Sequence, residues 1–329
     1  MDIAVVGLGL IGGSVLRALA AAGHTLRGYD SDPATRATAR TAAAQARPGG
    51  RWRVAGEIGE AVAGAELVVV AVPLPAVAEV LDQLVAAGYA GLVTDVTSVK
   101  APVRELVAAR LDRPHARLAG YVGGHPMTGS ETAGFTSADP SLLTGCAWVL
   151  CLEPETSLAD WLTLADLVTR LGARVVPTTS ADHDAAVAAV SHVPHLLAAA
   201  LAGSVAGDPL ALTLAAGSFR DGTRVAASPP DLVAAMCAGN PAAAPALAAV
   251  TAALADAAAA LASSHPFPAL RSWLTPAAAV RAGWPPAPGA RLDLPATPDA
   301  LLRLGRAGGW VTTVAPDRRT VHATRPPPA

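Results

Sequence analysis

Residues 121–134 read YVGGHPMTGSETAG and set one imidazole, His125, between a glycine pair and a proline. Neutral imidazole takes up and returns protons near neutral pH better than other side chains. A second polar group interrupts the apolar run 181–201, ADHDAAVAAVSHVPHLLAAAL, where His192 and His195 are three apart and share a helix face. A third, AAGSFRDGTRVAASPPDL at 215–232, presents Arg220, Asp221 and Arg224 after a Gly-Ser break. Arginine suits a bidentate grip on a carboxylate. A solvated surface pair is the alternative for both arginines. Packed core histidine is the alternative for His192, and a local cap is the alternative for His183–Asp184.

The proton chemistry gains a partner at the N-terminus. VVGLGLIGGS spaces Gly7, Gly9 and Gly12 as G-x-G-x-x-G, directly after an apolar strand pattern and at the start of a helix pattern. In that context Gly7 makes the tight turn, Gly9 admits a pyrophosphate, and Gly12 lets the helix pack on the sheet. Leu10 and Ile11 open that helix, whose unpaired N–H groups and positive dipole end favour phosphate. Asp30 ends the second predicted strand, where a carboxylate accepts the ribose hydroxyls of NAD and repels the 2′-phosphate of NADP. Arg36 nearby keeps NADP as the alternative. The loops after the next strands, AVPLPAV (71–77) and TDVTSVK (94–100), place Val72, Pro73 and Ser98 at the same crevice, with segment 123–131. A nicotinamide enzyme that oxidises an alcohol must also remove the hydroxyl proton. His125 is the expected base, and Ser98 is expected to bond the same hydroxyl.

These residues need a scaffold. Predicted strands at 2–6, 25–29, 66–72, 91–95, 117–121, 147–152 and 173–177 alternate with helical patterns at 11–22, 33–45, 76–87, 100–111 and 157–171. Apolar strands separated by helices imply βαβ units and a mostly parallel sheet covered on both faces. After about residue 178 the patterns at 181–206, 208–226, 229–238, 241–264 and 268–282 are all helical, with Pro194 expected to kink the first. The expected organisation is α/β: a doubly wound, Rossmann-type domain at 1–178 and an all-helical domain at 179–283. A linker and short tail follow at 284–329, with one helix at 298–306 and one strand at 309–314.

Composition narrows the function classes. Of the 329 residues 52% are apolar, and the formal net charge is −2, which argues against nucleic acid as a partner. The three cysteines form no CxxC pair, and H-x-x-H is not the H-E-x-x-H zinc arrangement, so neither disulfide framework nor metal site is expected. Asp2 stands where a signal peptide needs positive charge, and the apolar run 184–206 is broken by His192, Pro194 and His195. A cytoplasmic protein without membrane attachment is expected. Lys100 is the only lysine.

The blocks GLGLIGGS, VTDVTSVK, GGHPMTGSETAG, SHVPH and GSFRDGTRVA together resemble, in order, the prephenate/arogenate dehydrogenase family of tyrosine biosynthesis. The resemblance runs from Gly7 to about Asp231. It implies NAD(P)-dependent oxidative decarboxylation of prephenate, or alternatively arogenate. By the same resemblance His125 and Ser98 act on the ring hydroxyl, Arg224 and His195 bind substrate, and Ser130 and Glu131 lie near the pocket mouth. A homodimer through the helical domain is also implied. The tail 284–329 is too short for the regulatory ACT domain of many relatives. A rival reading, a two-domain dehydrogenase of the β-hydroxyacid type, would need a lysine in the helical domain, where this sequence has none.

Overall fold

The structure, a computed structural model, describes residues 1–47, 50–111, 120–129 and 132–327. Its chain divides into two compact units, Met1–Asp184 with Arg291–Thr324, and Ala185–Ala290 with Arg325–Ala329.

The first unit opens with β1 (Asp2–Val6), α1 (Leu10–Ala21), β2 (Thr25–Tyr29), α2 (Pro33–Gln45), β3 (Trp52–Val54), α3 (Ile58–Val62), β4 (Leu67–Val70), α4 (Leu74–Ala86), β5 (Leu92–Asp95), α5 (Ala101–Leu111) and β6 (Gly120–Val122). The strands form a six-stranded sheet in the order β3-β2-β1-β4-β5-β6, and every pairing is parallel. Alternation along the strands builds two cores. Ile3, Val5, Leu67 and Val69 feed one face, while Ala4, Val6, Val68 and Val70 feed the other. The strand order reverses between β1 and β4, which is where an open parallel sheet leaves a ligand crevice at its carboxyl edge.

A second six-stranded sheet, mixed rather than parallel, was not expected. It contains β7 (Gly124–Pro126), β8 (Ala147–Cys151) and β9 (Arg174–Thr178), with α6 (Leu158–Arg170) between the last two. β7 pairs antiparallel and β9 parallel with β8. Trp161 of α6 is fully buried and donates its indole N–H to Leu150 O at 3.2 Å.

The segment expected as linker and tail extends this sheet. β10 (Arg291–Pro295), α14 (Pro298–Arg306), β11 (Trp310–Val314) and β12 (Thr320–Thr324) complete the order β10-β12-β11-β9-β8-β7. The helix and the β11 strand match expectation; β10 and β12 do not. RLDLP lies in the proline-rich stretch 284–296 expected as a linker, and pairing with β12 makes it a strand. The short β3 was missed for a similar reason, and the expected strand 66–72 stops at Val70. Residues 117–119 of the strand expected at 117–121 lie outside the described residues.

The chain enters the second unit through α7 (Ser180–Val187). There follow α8 (Val193–Gly203), α9 (Pro209–Leu214), α10 (Gly217–Thr223), α11 (Pro230–Ala238), α12 (Ala243–Ala262) and α13 (Pro266–Ala282). The run Ser180–Gly203 is one continuous helix. Pro194 does not break it, because a π-turn at Ala188–His192 widens the preceding turn and absorbs the missing N–H. By length and composition alone, Ser180–Gly203 and Ala243–Ala262 could each cross a bilayer. α13 buries no residue within the unit, and Phe267, Leu274, Val280 and Trp284 are exposed on or just after it.

Candidate active site

The glycine turn after β1 has the geometry that its spacing predicts. Gly7 has φ +96°, and a Cβ there would stand 2.3 Å from Ala71 O. A Cβ on Gly12 would stand 1.9 Å from Gly7 O, so the helix meets the turn only because Gly12 has no side chain. Gly9 differs: a Cβ there would meet nothing within 4 Å. Gly9 is also the N-cap of α1, makes no side-chain cap, and precedes a first turn without acidic residues. Half-buried Leu10 and Ile11 begin that turn. Open space, unpaired N–H groups and a positive helix end fit a pyrophosphate.

Asp30 follows β2 and is half-buried. Its Oδ2 accepts from Leu8 N at 2.7 Å and its Oδ1 from Asp32 N at 2.9 Å, which ties the acid to the glycine turn. A carboxylate offers about four lone-pair sites, so capacity for a ribose diol remains. Arg36 donates to the Asp30 and Ser31 carbonyls at 2.6 and 3.0 Å. Across the crevice Val72 Cγ1 would lie 2.9 Å from a Cβ on Gly7, and Pro73 caps α4. Val72 thus meets the turn as expected, and Pro73 is exposed beside it.

His125 lies on the short strand β7. It pairs with Val149 of β8 in antiparallel register. The glycine before it serves close approach: a Cβ on Gly124 would stand 2.6 Å from Asp95 O, at the carboxyl end of β5. Beneath this junction is a buried polar cluster. Lys100 Nζ donates to Asp95 Oδ1, to Thr97 Oγ1 at 2.9 Å and to Gly124 O at 2.6 Å. Asp95 Oδ1 also accepts from Thr97 N at 2.8 Å, and its Oδ2 from the Tyr121 hydroxyl at 2.6 Å. Burial, reinforced by Asp95, pushes the Tyr121 hydroxyl far above its ordinary range, so it stays a neutral donor.

Sequence reasoning missed the partner of His125. His125 Nδ1 lies 2.9 Å from His183 Nε2, and His183 Nδ1 lies 2.7 Å from Asp184 Oδ1. Asp184 does act as a cap, accepting from Lys100 N and Ala101 N at the start of α5 at 2.8 and 2.9 Å. The available signal was the His-Asp dipeptide just after the carboxyl end of β9. Burial lowers the His183 imidazole below its ordinary value, against the Asp184 bond that works to raise it. Burial works to raise the Asp184 carboxyl, but hydrogen bonds from His183, Ala101 N and Lys100 N outweigh it and hold the group below its ordinary value.

Ser98, half-buried, follows β5 on the loop that carries Thr97 and Lys100. Ser130 and Glu131 lie outside the described residues. His195 and Arg224 belong to the second unit. His195 Nδ1 donates to Ser191 O at 2.9 Å, which directs the ring, and Arg224 is exposed at the head of a 3-10 turn, Arg224–Ala227, packed on α8. Asp221 is exposed and stands 3.8 Å from Arg220. His192 is buried, with Asn240 Nδ2 at 3.1 Å from its Nδ1, so it packs within the helical unit.

The sheet order and the glycine turn define a dinucleotide-binding α/β unit, and the same chain carries a helical unit. Comparison with known proteins is specific. Residues 15–177 match the family described as prephenate dehydrogenase, nucleotide-binding domain, and 179–275 match prephenate dehydrogenase, dimerization domain. The chain belongs to the prephenate dehydrogenase family. It is 31% identical over 237 residues to prephenate dehydrogenase of Bacillus subtilis, covering 69% of this chain and 61% of the relative. It is 32% identical over 239 residues to cyclohexadienyl dehydrogenase of Zymomonas mobilis, covering 70% and 78%. The match spans 45% of the prephenate dehydrogenase of Lactococcus lactis, so this chain covers about half to three-fifths of the length of these first relatives. Among solved structures, a Corynebacterium glutamicum protein assigned as a prephenate dehydrogenase superimposes with TM-score 0.76 at 33% identity, covering 87% of this chain and 90% of that one. Arogenate dehydrogenase of Synechocystis superimposes with TM-score 0.71 at 28% identity, covering 86% and 100%.

Proposed function

We propose that this chain is an NAD-dependent dehydrogenase that converts prephenate to 4-hydroxyphenylpyruvate and CO2. The observation that carries the reading is the placement of His125. Its neighbour Gly124 is clamped to Asp95 and Lys100 at the carboxyl end of β5, on the rim of the nucleotide crevice. NAD bound there would supply the acceptor for the hydride leaving C4 of the ring. The side chains do the rest. His125 takes the hydroxyl proton as C4–O becomes a carbonyl. Cleavage of the bond to the ring carboxylate then sends its electron pair into the ring as CO2 leaves, and the proton returns to the phenol oxygen. Ser98 is assigned to orient the hydroxyl. Arg224 and His195 are assigned to substrate binding, with Arg224 on the side-chain carboxylate, since a tight cation on the departing carboxylate would stabilise the ground state more than the transition state. Asp30 supports NAD over NADP, because a carboxylate at the end of the second strand accepts the ribose hydroxyls and repels a 2′-phosphate.

Arogenate is the second reading, supported by the likeness to the Synechocystis enzyme. We further propose a cytoplasmic homodimer in which the exposed apolar residues of α12 and α13 face a second copy; the family description of 179–275 as a dimerization domain supports it. The test is NADH formation by the purified chain with prephenate or arogenate and NAD or NADP, with His125→Asn as control. Turnover with prephenate and NAD, lowered about 100-fold or more in the variant, is expected. No reduced cofactor with either substrate would overturn the reading, and a monomer by light scattering would overturn the dimer.

A further inference from the structure

Behind His125 stands a row of polar groups that hydride transfer does not itself require. His183 is buried on the first turn of α7, with its Nε2 toward His125 and its Nδ1 toward Asp184. The two imidazoles meet edge to face, with centroids 5.1 Å apart and planes at 73°. Asp184 is fixed in turn by two backbone N–H groups of the Lys100–Ala101 segment. The chain of contacts therefore runs from the start of α5, through a carboxylate and one imidazole, to a second imidazole on β7.

Hydrogen-bond logic assigns the protons along this row. An ionised carboxylate only accepts, so the His183 nitrogen facing Asp184 carries the hydrogen. In a neutral ring the other nitrogen then accepts, so His183 Nε2 offers a lone pair to His125. His125 must answer with Nδ1–H, which leaves the lone pair of a neutral His125 on Nε2. We infer that His183 and Asp184 are positioning residues that lock His125 in the Nδ1–H tautomer, so that Nε2 is the atom that takes the substrate proton. This rests on the dehydrogenase reading above.

The step balances without moving a proton along the row. The substrate O–H bond breaks and an Nε2–H bond forms on His125, while its Nδ1–H continues to donate to His183. Asp184 stays ionised and stabilises the imidazolium through the intervening ring. Among the described residues, Asp184 and His125 contact the His183 ring, and the charges of the buried pair Lys100 and Asp95 also act on it. Burial and Lys100 favour the neutral ring, the only form of His183 that accepts from His125. A protonated His183 would present Nε2–H instead, and His125 would have to accept through Nδ1 and move its own hydrogen to Nε2. The base would then point its proton at the substrate.

The test reads the tautomer directly. In protein labelled with ring-15N histidine, each nitrogen reports whether it is protonated, and His125→Asn assigns the His125 signals among eight histidines. Above neutral pH the expected result is a protonated Nδ1 and an unprotonated Nε2 on His125. His183→Phe should shift protonation toward Nε2 and lower kcat at least about tenfold, with KM within about twofold. His183→Gln, which keeps a carbonyl acceptor for His125, should recover part of that loss. A wild-type His125 protonated at Nε2 overturns the inference, as do equal losses in the Phe and Gln variants or a loss confined to KM. The wild-type spectrum needs no turnover, so it decides even if His183→Phe fails to fold. Absence of NADH formation would count against the proposed reaction and leave the tautomer result standing.

Discussion

Lys100→Met removes the one ammonium group that joins β5 to the strand bearing His125. The native side chain is 1% exposed and donates to Asp95, Thr97 and Gly124. Methionine keeps much of the volume and deletes the charge. Breaking a buried ion pair from one side costs about 3–5 kcal/mol, because a charge stays behind. Here Asp95 keeps the Thr97 amide at 2.8 Å, the Thr97 hydroxyl at 2.5 Å and the Tyr121 hydroxyl at 2.6 Å. Those donors set the expected loss at the low end, about 3 kcal/mol. Adding Asp95→Asn removes the stranded charge, and the asparagine can still accept from Thr97 and donate to the Tyr121 oxygen. The double variant should recover about 1–2 kcal/mol. Guanidinium unfolding followed by the fluorescence of Trp148 and Trp161, both buried in the same unit, measures both quantities. Activity should fall in the single variant as well, since Gly124 positions the residue after it. A Lys100→Met protein within about 0.5 kcal/mol of wild type, or a double variant weaker than the single, would refute the argument that this pair holds the junction.

Other substitutions separate the parts of the nucleotide turn. Gly12→Ala places a methyl 1.9 Å from Gly7 O and should abolish nucleotide binding, whereas Gly9→Ala meets no protein atom and should fold normally while weakening binding; calorimetric titration with NAD distinguishes them. Asp30→Ala should raise the KM for NAD about tenfold and narrow the preference over NADP, read from parallel kinetics with the two cofactors. Acid should destabilise the first unit through His183. Its folded-state pKa is lowered from 6.5, so the unfolded chain binds the extra proton first, and the stability present above that value is lost as pH falls through it. Thermal melts between about pH 7.5 and about pH 5 should show this slope in wild type and a shallower one in His183→Phe.

The local features of the fold were legible because they depend on neighbours in sequence. DIAVV and LVVV are near-continuous apolar runs, as strands covered on both faces require, and the parallel sheet followed from the intervening helices. The glycine spacing carried its own meaning, since a left-handed turn and a helix in contact with it each demand a missing Cβ. Asp30 was found because its distance along the chain from the turn is fixed by one helix and one strand. The strands that escaped detection, Trp52–Val54, Gly124–Pro126, Arg291–Pro295 and Thr320–Thr324, are short. Each exists because a partner strand satisfies its backbone, and a window of three to five residues does not encode that partner.

The sequence by itself determined that a dinucleotide turn, a histidine on a glycine-rich approach and a helical second unit belong to one chain, because each rests on spacing within a few residues. Only tertiary structure decided that residues 291–324 complete a second sheet, that the sole lysine is a buried strut, and that His183 and Asp184 stand behind His125. His125 and His183 are 58 positions apart. No local propensity links such residues. Their contact arises because β7 and the start of α7 are carried to the same edge by β8 and β9, and burial there makes each polar group find a partner.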